Sequence, residues 1–532
     1  MKVVSIIFFL AIAFNVQAKI YYVATDGDDT NIGTEKYPWK TIQKAANILI
    51  PNDTVFIKVG VYNERVVIQN SGSINGNIVF TNYKNDKVVI DGNGIKWWNW
   101  NGLFDISEKS YIVVDGINIK NALSYGGIWI DKSSYITIKN CYTYNTFSSG
   151  ISCWDSEFIN IENCEVELAC NDGEQECISI VHSNNCNIFG NNVHNNGPGT
   201  EGGEGIDVKQ GSHDVNVYKN TVHHINNRIG IYTDAWDTYT YNVNIYQNKV
   251  HHCYDSGIAI ASEKGGKLEN IKIYNNISYY NKWGGIEIGS WSDVNFEGLM
   301  PIENIKIINN TCYKNGQFAD GWGYGIVVDN PDAKDIIIRN NICSENSAQL
   351  SIQRIKSCSI DHNLIYGNNT ASGTIYGKDS VVDNPLFIDG DLYDFHLKEN
   401  SPSINKASSN YAPSTDFDNI ERPYGDNFDI GAYEYSNLIA VKECINISDN
   451  SFIDIYPNPV INNLNILINT DKYHKYKMQI FNINGKVLQI INVSNIKKDL
   501  ITIDRKYLAS GLYILKITMD NNINYNKKII VK

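Results

Sequence analysis

Apolar and polar residues alternate along most of this chain in short runs, and the runs return at a steady distance. One series closes each run with an asparagine: ITIKN at Asn140, INIEN at Asn163, NIFGN at Asn191, VNVYKN at Asn220 and VNIYQN at Asn248. It continues through IKIYNN at Asn276, IKIINN at Asn310, IIIRNN at Asn341 and SIDHN at Asn363. The gaps are 23, 28, 29, 28, 28, 34, 31 and 22 residues. A second series keeps step with it: GIWI at Gly127, GISC at Gly150, CISI at Cys177, GIDV at Gly205 and GIYT at Gly230, then GIAI at Gly257, GIEI at Gly285 and GIVV at Gly325. Alternation with a period of two is the mark of strands. A strand-based repeat of this length, without helical periodicity, is the mark of a solenoid. The fold expected is all-β, a right-handed parallel β-helix with about three short strands per coil. The nine asparagines are expected in one column, at a tight turn that tolerates left-handed backbone.

The ends break the pattern. Residues 1–18 read as a signal peptide: Lys2, the apolar run VVSIIFFLAIAF and the small-residue site Val16-Gln17-Ala18. A strand, a polar loop and an amphipathic helix from about Thr41 then precede the repeats, and the helix is suited to capping an open solenoid end. The β-helix domain is expected over 19–436, a polar linker over 437–450, and a separate small β-sandwich of alternating strands over 451–532.

Composition narrows the function. The net charge is −13, which argues against nucleic acid as a partner. No later segment is long and apolar enough to span a bilayer, so an exported, soluble monomer is expected. The eleven cysteines include no CxxC pair. Cys141/Cys164 and Cys312/Cys343 fall in register on adjacent coils, which suits a disulfide or buried free thiols equally. Seven of ten histidines fall between His182 and His252. His194, His223 and His251 share one place in the repeat, either as a zinc site or as a plain surface ladder.

Chemistry concentrates on the second series. In Gly-Ile-x-Ile-x the isoleucines point inward and the x residues outward. The outward pairs include Trp129/Asp131, Ser152/Trp154, Ser179/Val181, Asp207/Lys209, Tyr232/Asp234, Ala259/Ala261 and Glu287/Gly289. With coils about 4.8 Å apart, Asp207, Lys209, Tyr232 and Asp234 should form one solvent-facing patch, with open space over the two alanines beside Glu287. Asp237, Glu263 and Arg228 lie in nearby loops, and NNGPGTEGGE lengthens one connection enough to wall a cleft. Trp236, Trp283 and Trp291 supply surface on which sugars stack. His182 and Trp154 are expected at the edge of the same cleft.

Three resemblances follow from these residues. YPNP, the NINGK turn and GLYILKI, in that order over about the last 80 residues, resemble the C-terminal sorting domain of the type IX secretion system. That implies export across the outer membrane of a Bacteroidetes bacterium, to the medium or the cell surface. The segment DNPLFIDGDLYDFHLKENSPSINKASSN to DIGAYEY resembles the closing segment of secreted Bacteroidetes β-helix proteins. EGIDVKQGS resembles the strand motif of polysaccharide lyase family 6, within the pectate-lyase-like β-helices. That likeness implies a Glu204 that binds calcium and a Lys209 that acts as catalytic base. The arginine carried by that family on the next coil is replaced here by Thr233 or Asp234, with Arg228 nearby.

The expected function is a secreted enzyme that cleaves a uronate-bearing, acidic polysaccharide by β-elimination. Lys209, with its pKa lowered by neighbouring cations, would take the proton. Calcium on Glu204 or Asp207 would stabilise the enolate, and Tyr232 would protonate the leaving oxygen. The alternative is a glycoside hydrolase, using Asp234 or Asp237 with Glu263 as paired carboxylates. Glycoside hydrolase family 120 shows that such a fold can host that pair. A non-catalytic glycan-binding or adhesin solenoid is the third reading.

Overall fold

The computed structural model describes residues 18–436 and 452–531, apart from 173, 199–201, 292–295, 317–322, 354–356, 368–373, 457–459, 461–462, 484, 505–507 and 521–522. The signal-peptide residues up to 17, the linker from 437 and the centre of the NNGPGTEGGE connection lie outside the described residues. Two compact units are present: Met1–Pro385 with Asn400–Glu434, and Leu386–Glu399 with Tyr435–Lys532.

The first unit is a right-handed parallel β-helix. Each coil gives one strand to each of three parallel sheets of 13, 11 and 12 strands, pairing only with the coils before and after. The second sheet, of 11 strands, carries the GIxI series. Its register runs Ile178↔Ile206↔Ile231↔Ile258↔Ile286↔Ile326, as the repeat spacing requires. Every one of these isoleucines is fully buried, so the coil interior is a continuous column of branched aliphatic side chains. The helix Ile42–Ile48 closes the first end. Thr41 caps it by accepting a hydrogen bond from Lys44 N at 3.2 Å, and Ile42, Ala45 and Ala46 are buried.

The asparagine column differs from expectation in its membership. Seven residues, Asn191, Asn220, Asn248, Asn276, Asn310, Asn341 and Asn363, form a buried ladder. Each Nδ2 donates to the next Oδ1 at 2.9–3.0 Å. Asn140 and Asn163 stand one residue earlier, at the left-handed position, with φ 52° and 53°. Cys141 and Cys164 fill the ladder place in their coils, as Cys164↔Asn191 alignment follows from the Glu162↔Phe189 pair. The ladder side chain must point inward to satisfy backbone across the turn, so the outward αL role falls to its predecessor. The cysteines described are all free thiols.

Residues 400–434 return along the solenoid as a strap. Its carbonyls accept hydrogen bonds from αL residues of four successive coils: Gln247 to Asp416, Asn275 to Thr415, Asn309 to Asp429 and Asn340 to Ser408. Inside the strap, Arg422 and Glu434 make a fully buried ion pair at 2.5 Å.

In the second unit, the strands Phe452–Tyr456, Asn463–Asn482, Val487–Asp504, Gly511–Met519 and Ile523–Val531 form one antiparallel sheet. Ile455, Ile466, Met478, Leu515 and Ile529 belong to its own core.

Candidate functional site

Three adjacent strands of the second sheet build the site: Ile178–Val181, Ile206–Lys209 and Ile231–Asp234. Their outward positions align as Ser179↔Asp207↔Tyr232 and Val181↔Lys209. The register is the one read from the repeat, but the environment is not. Asp207 is 1% exposed, Lys209 8%, Tyr232 4% and Asp234 5%. The patch expected to face solvent is buried, and the reason is visible around Tyr232. Ala259 and Ala261 on the next strand leave no open space, because the Tyr232 ring packs on them together with Ile229 and Trp291. Small side chains here admit a large neighbour instead of water.

Lys209 does not sit among cations, as a lysine base would require. Its Nζ donates to Glu176 Oε1 at 2.6 Å and lies 3.9 Å from Asp207 Oδ2. Glu176, Asp207 and Asp234 together hold its pKa above the usual lysine value, outweighing the opposing effect of burial. These carboxyls favour its ammonium form. The carboxyls around it are shifted as well: burial pushes Asp207 and Asp234 well above the ordinary range, with repulsion from Asp234 adding to the first and from Glu263 and Glu176 to the second.

Glu176 went unnoticed in the sequence, yet it carries the central ion pair. It precedes Cys177 as Glu204 precedes Gly205, and Ile178↔Ile206 puts the two glutamates in register. That shared offset was the available signal. Glu176 also accepts from Ser179 Oγ at 2.5 Å.

The remaining candidates separate into those that join this cluster and those that do not. Glu263 joins it, accepting a short hydrogen bond from the Tyr232 hydroxyl, and burial raises its pKa. Glu204 is pushed up to about 7, by burial and then by Glu176; Arg228 Nε lies 3.6 Å from its carboxylate and donates to Gly202 O. Glu287, two strands beyond Tyr232, is a separate buried carboxyl bonded to Ser256 and raised to about 7. Trp236 lies under Lys264 Nζ at 5.4 Å, and Asp237 beside it is exposed. Trp154 stacks on Trp129 at 5.9 Å, two strands from Lys209 on the other side. His182 is not in the cluster: it is an exposed residue 3.7 Å from Asp155, lining a small polar cavity of about 350 Å³ with Lys132 and Glu157.

The oxygen donors suit a hard cation only in part. Asp207 Oδ1 and Asp234 Oδ1 are buried without hydrogen-bond partners, so these two carboxylates could hold calcium. Glu204 is turned toward Arg228 instead. Among the described residues, the set of three ligand atoms within 4.8 Å of one another is Glu165, Glu167 and His194, on the third sheet. His194, His223 and His251 stack there at 4.8 and 5.1 Å; burial lowers the His223 pKa to about 3.

Known proteins resemble this chain over much of its β-helix. Residues 21–168 match the Pel9A-like, right-handed beta helix region, and residues 201–299 the family described as right handed beta helix region. Residues 454–532 match the secretion system C-terminal sorting domain, which marks the protein for export to the cell surface or the medium. The uncharacterized protein YwoF of Bacillus subtilis (strain 168) is 26% identical over 439 residues, covering 72% of this chain and 91% of its own length. XylC in complex with xylose shares the fold at TM-score 0.50 and 14% identity, covering 79% of this chain and 99% of that one. Pectate lyase Pel9A aligns at TM-score 0.43 and 16% identity over 79% and 98%.

Proposed function

We propose that this exported protein hydrolyses glycosidic bonds, with Asp234 and Glu263 as the working carboxyl pair. One observation carries the reading: Lys209 Nζ donates to Glu176 at 2.6 Å inside a cluster of buried carboxyls, a setting that favours its ammonium form. A lysine in that state has no lone pair with which to take a proton. Several carboxyls around one cation cannot all ionise, so the cluster keeps at least one proton. A protonated carboxyl beside an ionised one is what glycoside hydrolysis needs.

In this scheme Glu263 is the acid. It is only partly buried, its pKa is raised, and Tyr232 fixes one of its oxygens, leaving the other for the leaving-group oxygen. Asp234 is the carboxylate that attacks the anomeric carbon or activates water. Lys209 supplies a positive charge that opposes the burial and the neighbouring carboxyls, which together raise the Asp234 pKa. Arg228 and Glu204 border the cluster and orient sugar hydroxyls.

A second reading, elimination, is favoured by the unpartnered Oδ1 atoms of Asp207 and Asp234. Calcium bound to them would supply charge stabilisation for a uronate carboxylate. Lys209, relieved of those two neighbours, would then be closer to a base. Product chemistry separates the two schemes. The protein is incubated with xylose-bearing, pectic and algal polysaccharides, with and without a chelator. Hydrolysis gives new reducing ends without ultraviolet absorbance and is indifferent to the chelator. Unsaturated, absorbing ends that vanish on chelation would overturn the carboxyl-pair mechanism.

A further inference from the structure

The first sheet, which carries none of the proposed catalytic residues, has a groove of about 520 Å³ on its outer face. Along it run two columns of polar side chains, one residue per coil, all amides except Asp214, whose carboxylate stands at the end away from the lysines. In one, Asn187, Asn216 and Asn244 each donate through Nδ2 to the Oδ1 of the coil before, at 3.0 Å. In the other, Asn242 donates to Asp214 at 3.0 Å, Asn270 to Asn242 at 3.3 Å, and Asn304 to Asn270.

A primary amide has two N–H donors and two lone pairs on its oxygen. Each ladder bond uses one of each. Within the columns one donor and one acceptor per amide therefore remain, presented at the rise of one coil, about 4.8 Å, and at the lysine end the Asn304 oxygen accepts from Lys306 Nζ at 2.6 Å. The ladder also fixes each amide plane in advance, so little rotamer freedom is left to lose on binding. A regular polymer of hydroxyl-bearing units, each close to one coil rise in length, matches this lattice. Isolated small molecules do not need it.

One end of the groove is charged. Lys272 and Lys306 stand directly opposite each other on adjacent strands. Like charges in that relation destabilise a sheet, and Lys306 is pulled below the usual lysine value by burial and by Lys272. Two cations held in register on a chain of net charge −13 are complementary to an anion lying between them.

We infer that this groove is a second glycan-binding site, taking an extended polysaccharide with anionic groups along the solenoid axis. The hydroxyls meet the amide columns, and a carboxylate or sulfate bridges Lys272 and Lys306. The inference rests on the proposed function only for the choice of polysaccharide as polymer.

The test uses the full chain carrying Asp234→Asn, so that turnover does not consume the ligand. Its migration is measured through gels containing polygalacturonate, a sulfated galactan or neutral xylan, each referred to a gel without polymer. Retardation by at least one anionic polymer is expected, and adding Lys272→Gln with Lys306→Gln should weaken it about tenfold or more. In the chain that retains Asp234, the same lysine pair should leave turnover of a short oligosaccharide unchanged. Which anionic polymer is retarded identifies the anion. Undiminished retardation in the lysine variant, an equal loss on xylan, or no retardation of the parent would each overturn the inference. A chain that retains Asp234 and is retarded but hydrolyses nothing would leave the groove standing and remove the catalytic reading.

Discussion

Replacing Lys209 by methionine keeps the length of the side chain and deletes one buried cation. The structure sets the consequence. Glu176, bonded to that ammonium at 2.6 Å, loses its partner while 5% exposed, and Asp207 and Asp234 lose the opposing charge. Removing one member of a buried pair typically costs about 3–5 kcal/mol, because the other charge stays behind. At about 1.4 kcal/mol per decade, opening of these coils should become roughly a hundred- to several-thousand-fold more frequent. Hydrogen exchange by mass spectrometry at neutral pH should show this in peptides spanning 176–263, with little change in distant coils, since strands pair only between adjacent coils. Adding Glu176→Gln removes the stranded charge and should restore most of the protection. The sign with pH follows from the raised Lys209 pKa. Its stabilisation is fully present below the ordinary lysine value and is lost only as pH rises through the folded value, so it operates throughout the neutral range. A Lys209→Met protein that exchanges like the native one, or a double variant no better than the single, would refute this account of the cluster.

Three further outcomes are expected. Asp234→Asn and Glu263→Gln should each lower kcat/KM on a cleaved glycan by about 10²–10⁴-fold with the fold intact, while Asp237→Asn should cost far less; the reverse ranking in steady-state kinetics would move the pair. Glu204 and Glu287, both raised by burial from 4.5 to about 7, bind protons more tightly folded than unfolded, so stability should fall as pH rises from about 4.5 through 7, read as a lower urea midpoint at pH 8 than at pH 5. Asn248→Ala strips the Val217 carbonyl and the Asn220 amide of buried partners and should cost about 2–4 kcal/mol, whereas Asn140→Ala, outside the ladder, should cost under about 1 kcal/mol.

The register of the solenoid was legible because each coil repeats its predecessor. GIDV over GIYT predicts Asp207 beside Tyr232 without any knowledge of the third dimension. Membership of the asparagine ladder was misread by one residue at Asn140 and Asn163, since ITIKN-Cys and VNVYKN-Thr differ only in where the inward turn residue falls. Burial of the site was not legible at all. Alternation says which side of a strand a side chain leaves from, but not what lies over it, and Trp291 reaches Tyr232 from a different coil's loop. Glu176 was hidden for a related reason: its partner Lys209 is 33 residues away, and only the fold makes them neighbours. The charge state of Lys209 followed from that omission.

The strap over 400–434 changes what kind of object the solenoid is. A stack held only by adjacent coils can grow by simple addition, each new turn settling on the last as the chain emerges. Here Gln247 bonds to a carbonyl 169 residues later, and Asn275, Asn309 and Asn340 wait on the same late segment. Two of those anchors, Gln247 and Asn275, sit on the coils that follow Asp234 and Ala261. The catalytic coils can therefore stack early, but they are fastened only after nearly the entire domain has been made. A chain cut short before residue 408 would carry every proposed catalytic residue and still lack the late contacts that lock the coils in place.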